Sequence, residues 1–482
     1  MATFREKVIN GLAWEALTKL IVQIISWAST IIVARLLAPE DYGVIAVSGV
    51  FVGLCMKIAG MGIGSAIIYQ KNISKEELSS IFWSATILSC LAYLILYVAA
   101  PFIANFYDMP ELTAILRTAG LIIVLSGVSV VPRSLVSKQM RFKLSAILNM
   151  VSGLVVTVSA LIFAYLGYRY WSLVLSTLLG ELILVLLYFY YERYIPQLFL
   201  KIGLVKEAYK YGFSILAGRI MDHLNTQWIP LIAGSVLGKS ATGYFQMAYT
   251  LSSLPLTKIA ELMGKIIFPA FASIQDERDK CLSVFLVMHK YLFIVSCPMF
   301  IGLALVADEL VLLLLGEKWA LIVVPMQLIC IVNVLYISIY CIQRVLEGVG
   351  GSKALVVYQS ICLVLFPIAL LVGSHLNQLA GMLMAWGAVV PFGYMYLMYE
   401  LNKRIGLVPS EFILSALPAA FATGLMAASI YLFQIFVVQD SAMLPIVVVI
   451  SKIALGGVTY GAALLVIAPK DVVGIKKLVK GN

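Results

Sequence analysis

"IIVARLLAPEDYG" (residues 31–43) returns 200 residues later as "LIAGSVLGKSATG" (231–243), with Ile32 over Ile232, Leu37 over Leu237 and Gly43 over Gly243. A second echo, "KIA" at 57–59 and again at 258–260, keeps the offset to within one insertion. The identities are few, but the apolar runs repeat with them, six in 11–190 and six in 211–399. Because six is even, the two halves have the same topology and are related by an axis along the membrane normal, with substrate expected between them.

The membrane itself follows from composition. Of 482 residues, 62% are hydrophobic and 12% charged, and the mean hydropathy is +1.01, whereas a soluble domain carries roughly 25% charged residues. In such a chain the net charge of +10 reads as topology, because excess Lys and Arg marks cytoplasmic loops facing anionic lipid. No nucleic-acid partner is expected. The seven cysteines show no CxxC pair and lie mostly in apolar runs, so neither disulfides nor a metal site is expected. The first apolar run, about 26 residues, exceeds the roughly 7–15 of a signal-peptide core and is expected to stay as a helix.

A spanning helix needs about 20 apolar residues. Breaking the chain at Pro, Gly and charge clusters predicts spans near 11–37, 43–69, 79–106, 112–131, 144–166, 170–190, 211–234, 241–263, 285–307, 319–343, 354–374, 379–399, 411–436 and 442–468. The fold class is thus an all-α polytopic membrane protein of about 14 transmembrane helices, two six-helix lobes (1–200 and 201–405) plus two C-terminal helices and a basic tail (406–482). With the N-terminus in the cytoplasm, Arg and Lys concentrate on that side in every loop, from Arg5 and Lys7 to Lys476 and Lys477. The opposite loops hold only Arg169, Lys239 and Lys318, beside acids such as Glu40, Asp41, Asp108 and Glu111. Both termini are therefore expected inside. No loop is long enough for a soluble catalytic domain, and none carries a Walker A, a zinc spacing or a nucleophile elbow. The expectation is a secondary transporter with no catalytic residues and no bound cofactor.

Polar stripes cross several spans. Glu15, Lys19, Gln23, Ser26 and Thr30 form one in the first helix, and Arg219, Asp222, His223 and Thr226 occupy an arc of about 100° in the seventh. Gln246, Thr250, Ser253, Thr257, Lys258 and Glu261 mark the eighth, and Asn333, Tyr336, Tyr340, Arg344 and Glu347 the tenth. In the second helix Gly49, Gly53, Lys57, Gly60 and Gly64 share a face suited to close packing. The 200-residue offset lays Lys19 over Arg219. Each stripe has a plainer reading. Glu15 with Lys19, Arg219 with Asp222, and Lys258 with Glu261 are spaced as self-neutralising pairs, and Lys57, Lys258 and Arg344 could snorkel to the interface. An ionisable group at a helix centre costs about 2.5–3.5 kcal/mol on insertion scales, so several stripes favour one shared wet cavity. Lys452 has no assigned role.

The stretches "ARLLAPEDYGVIAV" (34–47), "GIGSAIIYQKNISKEELSSIFW" (62–83), "VPRSLVSKQMRFK" (131–143), "LPLTKIAELMGKIIFPAFASIQDERDK" (254–280) and "LLGEKW" (314–319) resemble Wzx-type polysaccharide flippases of the multidrug/oligosaccharidyl-lipid/polysaccharide exporter superfamily. The resemblance implies a bacterial inner-membrane protein that moves an undecaprenyl-pyrophosphate-linked oligosaccharide to the periplasmic leaflet. It also implies a 12 + 2 helix architecture around a cationic cavity and alternating access, with possible H+ or Na+ coupling. The candidate partners are the lipid-linked glycan, membrane lipid, a polysaccharide polymerase and a chain-length regulator.

That chemistry assigns roles to the stripes. Lys19 and Arg219 are the expected central anion ligands, with Lys57 and Arg344 as secondary cations. Glu15 and Asp222 would hold them between substrates and compete for a coupling ion, and His223 is a proton-relay candidate or simply a hydrogen-bonded neighbour. Gln23, Thr226, Asn333 and Tyr340 are expected to face sugar hydroxyls. The rival on the same fold is a cation-coupled drug or small-molecule antiporter, which needs an acid-lined cavity; here the intramembrane cations match or outnumber the acids. A membrane glycosyltransferase or polymerase would require a substantial external loop.

Overall fold

A computed structural model describes residues 25–60, 63–70, 73–438 and 443–469. The described residues are helical, with no strand among them, and ten helices among them are long and apolar enough to cross a membrane. They face hydrocarbon on one side and each other on the other. On α4 (Lys75–Phe106) Leu94, Ile95, Val98 and Phe102 are exposed, while Ser89, Ala92, Leu96, Ala100 and Ala104 are buried. In lipid no hydrophobic force drives helices together, so small residues and hydrogen bonds do the packing. The buried stripe of Ser and Ala answers to that.

Local chemistry sets the helix ends. Ser74 caps α4, its hydroxyl accepting the Glu77 N–H, with Glu76 and Glu77 in the first turn, where they complement the helix dipole. After the first described helix, α1 (Ile25–Leu36), the "PED" of the quoted motif opens α2 (Pro39–Gly60). The Asp41 carboxylate reaches back to accept the Ala38 N–H at 2.9 Å, the acidic half of a capping box. Asp41 is 1% exposed and its other oxygen is met by Arg169 at 3.1 Å.

Some expected single spans are broken. The stretch 43–69 is α2 followed by α3 (Ile63–Tyr69), and 112–131 lies in α5 (Glu111–Ala119) and α6 (Leu121–Lys138) on either side of Gly120. The eighth span is α10 (Gly238–Ser252) and α11 (Leu254–Ser273). Other helices follow the hydropathy more simply: α7 (Phe142–Tyr165), α8 (Trp171–Glu192), α9 (Ile202–Val236), α12 (Arg278–Leu305), α13 (Ala307–Leu314), α14 (Val323–Gly348), α16 (Pro409–Phe433) and α17 (Pro445–Ile467). The long α15 (Ser352–Ile405) is two helices bent at Asn377 and Gln378, whose backbone angles are not helical.

The chain forms two compact units, Met1–Gly243 and Tyr244–Asn482. The boundary differs from that expected at 200/201, because α9 packs along α2, α3 and α4. In the first unit α7 also packs on α8 and α4 on α6, around a core that includes Val44, Val47, Leu96, Met109, Leu112 and Ile123. In the second unit α16 packs on α12 and α17 on α16, joined through Phe293, Cys297, Ala419, Ala422 and Leu464. The last two helices, expected as an addition at 406–482, are therefore part of that unit's core. At its centre His289 bridges three helices, its two ring nitrogens 3.0 Å from Ser415 Oγ and 3.1 Å from Ser338 Oγ.

Candidate functional site

Helix α9 carries the seventh polar stripe and, at 35 residues, runs about 50 Å at 1.5 Å per residue, more than the roughly 30 Å of a hydrocarbon core. Arg219, Asp222 and Thr226 are exposed along one line of it. Their i, i+3, i+7 spacing makes a continuous polar face on a helix whose other faces are packed or apolar. Among the described residues no ion pair joins Arg219 to Asp222, although the spacing would allow one. Thr226 turns its hydroxyl back onto its own helix, donating to the Asp222 and His223 carbonyls at 3.1 and 2.8 Å.

His223 lies at the edge of the same arc and has a different fate. It is 8% exposed, with Nε2 2.9 Å from the Val50 carbonyl oxygen of α2. Gly53 makes the approach possible, since a Cβ there would come within 2.8 Å of the His223 ring. This contact ties α9 to α2.

The crossing also places a second cation. The two helices run antiparallel, because Val47 meets Gly234 while Val50, further along α2, meets His223, earlier on α9. One turn beyond Gly53 is Lys57, and one turn before His223 is Arg219. Counting one turn along each helix from the Gly53–His223 contact puts the Lys57 and Arg219 backbones at about the same height, and Lys57 is half-buried. Of the glycines sharing its face, Gly53 packs on His223 and Gly64 on Ser134, whereas Gly49 and Gly60 face open space.

The remaining expected site residues separate. Lys19, Glu15 and Gln23 lie outside the described residues. Arg344 is paired with Glu347 at 2.6 Å, its guanidinium 5.0 Å from the centre of the Tyr340 ring. That is the self-neutralising arrangement, one turn of one helix satisfying its own charge. Asn333, expected to face a cavity, is instead 1% exposed and donates to the Ser252 carbonyl at 3.0 Å. Ser252 ends α10, so Asn333 satisfies a carbonyl freed where the helix breaks. In the eighth stripe Thr257, Lys258 and Glu261 are exposed, and Ser253 is buried at the break.

Sequence reasoning left Lys452 without a role and missed its partner. Its ammonium is 2.6 Å from a Glu309 carboxylate oxygen and 3.2 Å from the Leu305 carbonyl. Arg133 of α6 likewise pairs with Glu181 of α8 at 3.2 Å. The only signal available for these pairs was an acid and a base in apolar surroundings at unrelated positions, which spacing cannot connect.

Comparison with known proteins places this geometry. The family described as "Polysaccharide biosynthesis protein" matches residues 32–324. The chain is 27% identical over 339 residues to the lipopolysaccharide biosynthesis protein WzxC of Escherichia coli (strain K12), covering 69% of this chain and 68% of that protein. It is 23% identical to the teichuronic acid biosynthesis protein TuaB of Bacillus subtilis (strain 168), over 80% of each. Among solved structures it matches the lipid II flippase MurJ in an inward closed conformation, with a TM-score of 0.76 and 15% identity over 95% of this chain and 99% of that one. The chain therefore shares its multi-pass helical fold with that structure.

Proposed function

Because the chain belongs to the polysaccharide biosynthesis protein family, we propose that it carries an undecaprenyl-pyrophosphate-linked oligosaccharide repeat unit from the cytoplasmic to the periplasmic leaflet of the bacterial inner membrane. The reading rests on one observation above the others: the exposed Arg219–Asp222–Thr226 face of α9, with Lys57 at its level on α2. A pyrophosphate and a shell of sugar hydroxyls cannot enter hydrocarbon unaided. Guanidinium and ammonium groups compensate the phosphate, Arg through two parallel hydrogen bonds, and hydroxyl and amide groups exchange hydrogen bonds with the glycan. The prenyl tail stays in lipid.

In this reading Arg219 is the principal anion ligand and Lys57 a secondary one, joined by Lys19, its counterpart in the sequence repeat. Asp222 holds Arg219 when no substrate is bound and competes for a coupling H+ or Na+. Arg344 contributes less, since Glu347 already neutralises it. Movement is by alternating access, and both termini face the cytoplasm, as the distribution of Lys and Arg supports. The names of the relatives, spanning lipopolysaccharide and teichuronic acid, support a glycan cargo of a class that varies between members. A polymerase and a chain-length regulator would act on the product.

The test is export in cells. Deleting the gene should remove the surface glycan and leave lipid-linked repeat units on the cytoplasmic leaflet. Arg219→Ala should reproduce that phenotype at normal protein level, and Arg219→Lys should restore part of it. Normal export in the Arg219→Ala strain would remove the site assignment, and normal export in the deletion strain would remove the function.

A further inference from the structure

Residues 193–201, which join α8 to α9, are not helical, yet they are held in place. The indole N–H of Trp83 donates to the Gln197 carbonyl at 2.8 Å, and the Gln197 and Lys201 N–H groups donate to the Ser79 and Ser80 hydroxyls at 3.1 Å each. Ser79, Ser80 and Trp83 stand at i, i+1 and i+4 near the start of α4, so one patch of that helix receives the connector. Both serines are buried. Backbone that leaves a helix close to hydrocarbon must find its partners within the protein, and these side chains supply them.

The docking sorts the connector's own side chains. Tyr194 turns inward, its ring centre 5.9 Å from that of Phe82 and 6.3 Å from that of Phe189. Ile195, Leu198 and Ile202 turn outward and are 85, 92 and 78% exposed. An apolar row on a segment fixed by hydrogen bonds cannot fold back onto the protein, so its cover comes from outside. The charges around it indicate which cover. Between 193 and 210 the sequence holds Arg193, Lys201, Lys206 and Lys210 against Glu207 alone, and the four basic residues are exposed. Of the neighbouring acids, Glu192 is taken by Arg141 at 2.6 Å, and Glu76 and Glu77 sit beside Lys75 in the first turn of α4.

Aromatic residues set the height of the row. Tyr190 and Tyr191 are exposed at the end of α8, and Trp83 touches the connector itself; Tyr and Trp placed in this way mark the boundary between hydrocarbon and water. The distribution of Lys and Arg puts this end of α8 on the cytoplasmic side, where anionic lipid attracts clustered basic residues.

We infer that residues 193–202 are a docked interfacial anchor for anionic phospholipid. Ile195, Leu198 and Ile202 enter the headgroup boundary of the cytoplasmic leaflet, and Arg193 and Lys201 hold lipid phosphates beside them. The anchor fixes where α9 enters the membrane, whatever cargo the protein carries.

The test uses the full chain with its native cysteines replaced and Leu200→Cys labelled with bimane, in phosphatidylcholine vesicles. A nitroxide placed near the top of a lipid acyl chain should quench the label more strongly than a water-soluble nitroxide. Nitroxide phosphatidylglycerol should quench several-fold more than nitroxide phosphatidylcholine at the same fraction, since one basic residue near the surface favours an anionic lipid about fivefold. That preference should fall toward equality in Arg193→Gln/Lys201→Gln, and in the parent at high salt. Equal quenching by the two lipids overturns the headgroup assignment, and an undiminished preference in the double variant removes Arg193 and Lys201 from it. Stronger quenching from water than from lipid overturns the anchor and makes the row a surface for a soluble partner. None of these outcomes depends on glycan export, so the flippase reading stands or falls separately.

Discussion

Removing the Lys452 side chain should destabilise the second unit by an amount the structure lets one estimate. Lys452 sits about 10 Å into α17, seven residues from Pro445, with its side chain 4% exposed and that of Glu309 14% exposed. One carboxylate oxygen takes the ammonium at 2.6 Å, and the other, Oε2, is buried without a hydrogen-bond partner. Lys452→Ala therefore strands a carboxylate with neither oxygen paired, for which breaking a buried pair costs about 3–5 kcal/mol. Glu309→Gln strands the ammonium on the Leu305 carbonyl and should cost a similar amount. The double variant Glu309→Gln/Lys452→Met removes both charges, and replacement of a whole buried pair by neutral groups is often close to neutral. For a body of this size about 1 kcal/mol moves Tm by about 2–4 °C, so each single variant should lose at least about 6–12 °C. The assay is thermal unfolding in detergent, followed by size-exclusion of the soluble fraction. Single variants within about 2 °C of the parent, or a double variant no better than the sum of the singles, would refute the claim that this pair clamps α17 to α13.

Other perturbations have equally definite outcomes. His289→Leu deletes both bonds to Ser338 and Ser415 inside a ring of Phe285, Phe293 and Phe412, and should cost about 1–3 kcal/mol, read as a lower Tm in detergent with no change in glycan type. Gly53→Ala forces the His223 ring away from α2, where only 2.8 Å is available; export should fall, and the His223→Ala change, which makes room, should recover part of it. Asp41→Asn keeps the shape of the α2 cap but weakens the Arg169 pair, so it should lower Tm by less than Asp41→Ala does. Asn333→Leu should lower Tm as well, by leaving the Ser252 carbonyl unpaired at a helix break, and should leave Arg344→Ala additive with it, since the two residues are three turns apart on α14.

Much of the architecture was legible before any coordinates, and for a physical reason. Transfer of a residue into hydrocarbon is nearly local and additive, so apolar runs and the bias of Lys and Arg locate the helices without knowledge of their neighbours. The repeat was equally visible, because Gly43 and Gly243 must both be glycine where their backbones cross. Helix breaks such as that at Ser252–Leu254 were not, since the carbonyl they expose is satisfied by Asn333, a partner 81 residues away.

The polar stripes mark the division most clearly. From the sequence, Arg219, Asp222, His223 and Thr226 form one equivalent set on one helix face. Tertiary packing splits them, because α2 presents Gly53 and the Val50 carbonyl to His223 and leaves Arg219, Asp222 and Thr226 exposed. It likewise spends Arg344 on Glu347 and Lys452 on Glu309. Sequence alone thus determined the solvent, the approximate course of the described helices and the family; only the fold decided which charges stay exposed and which are paired, because that depends on distances between residues far apart in the chain.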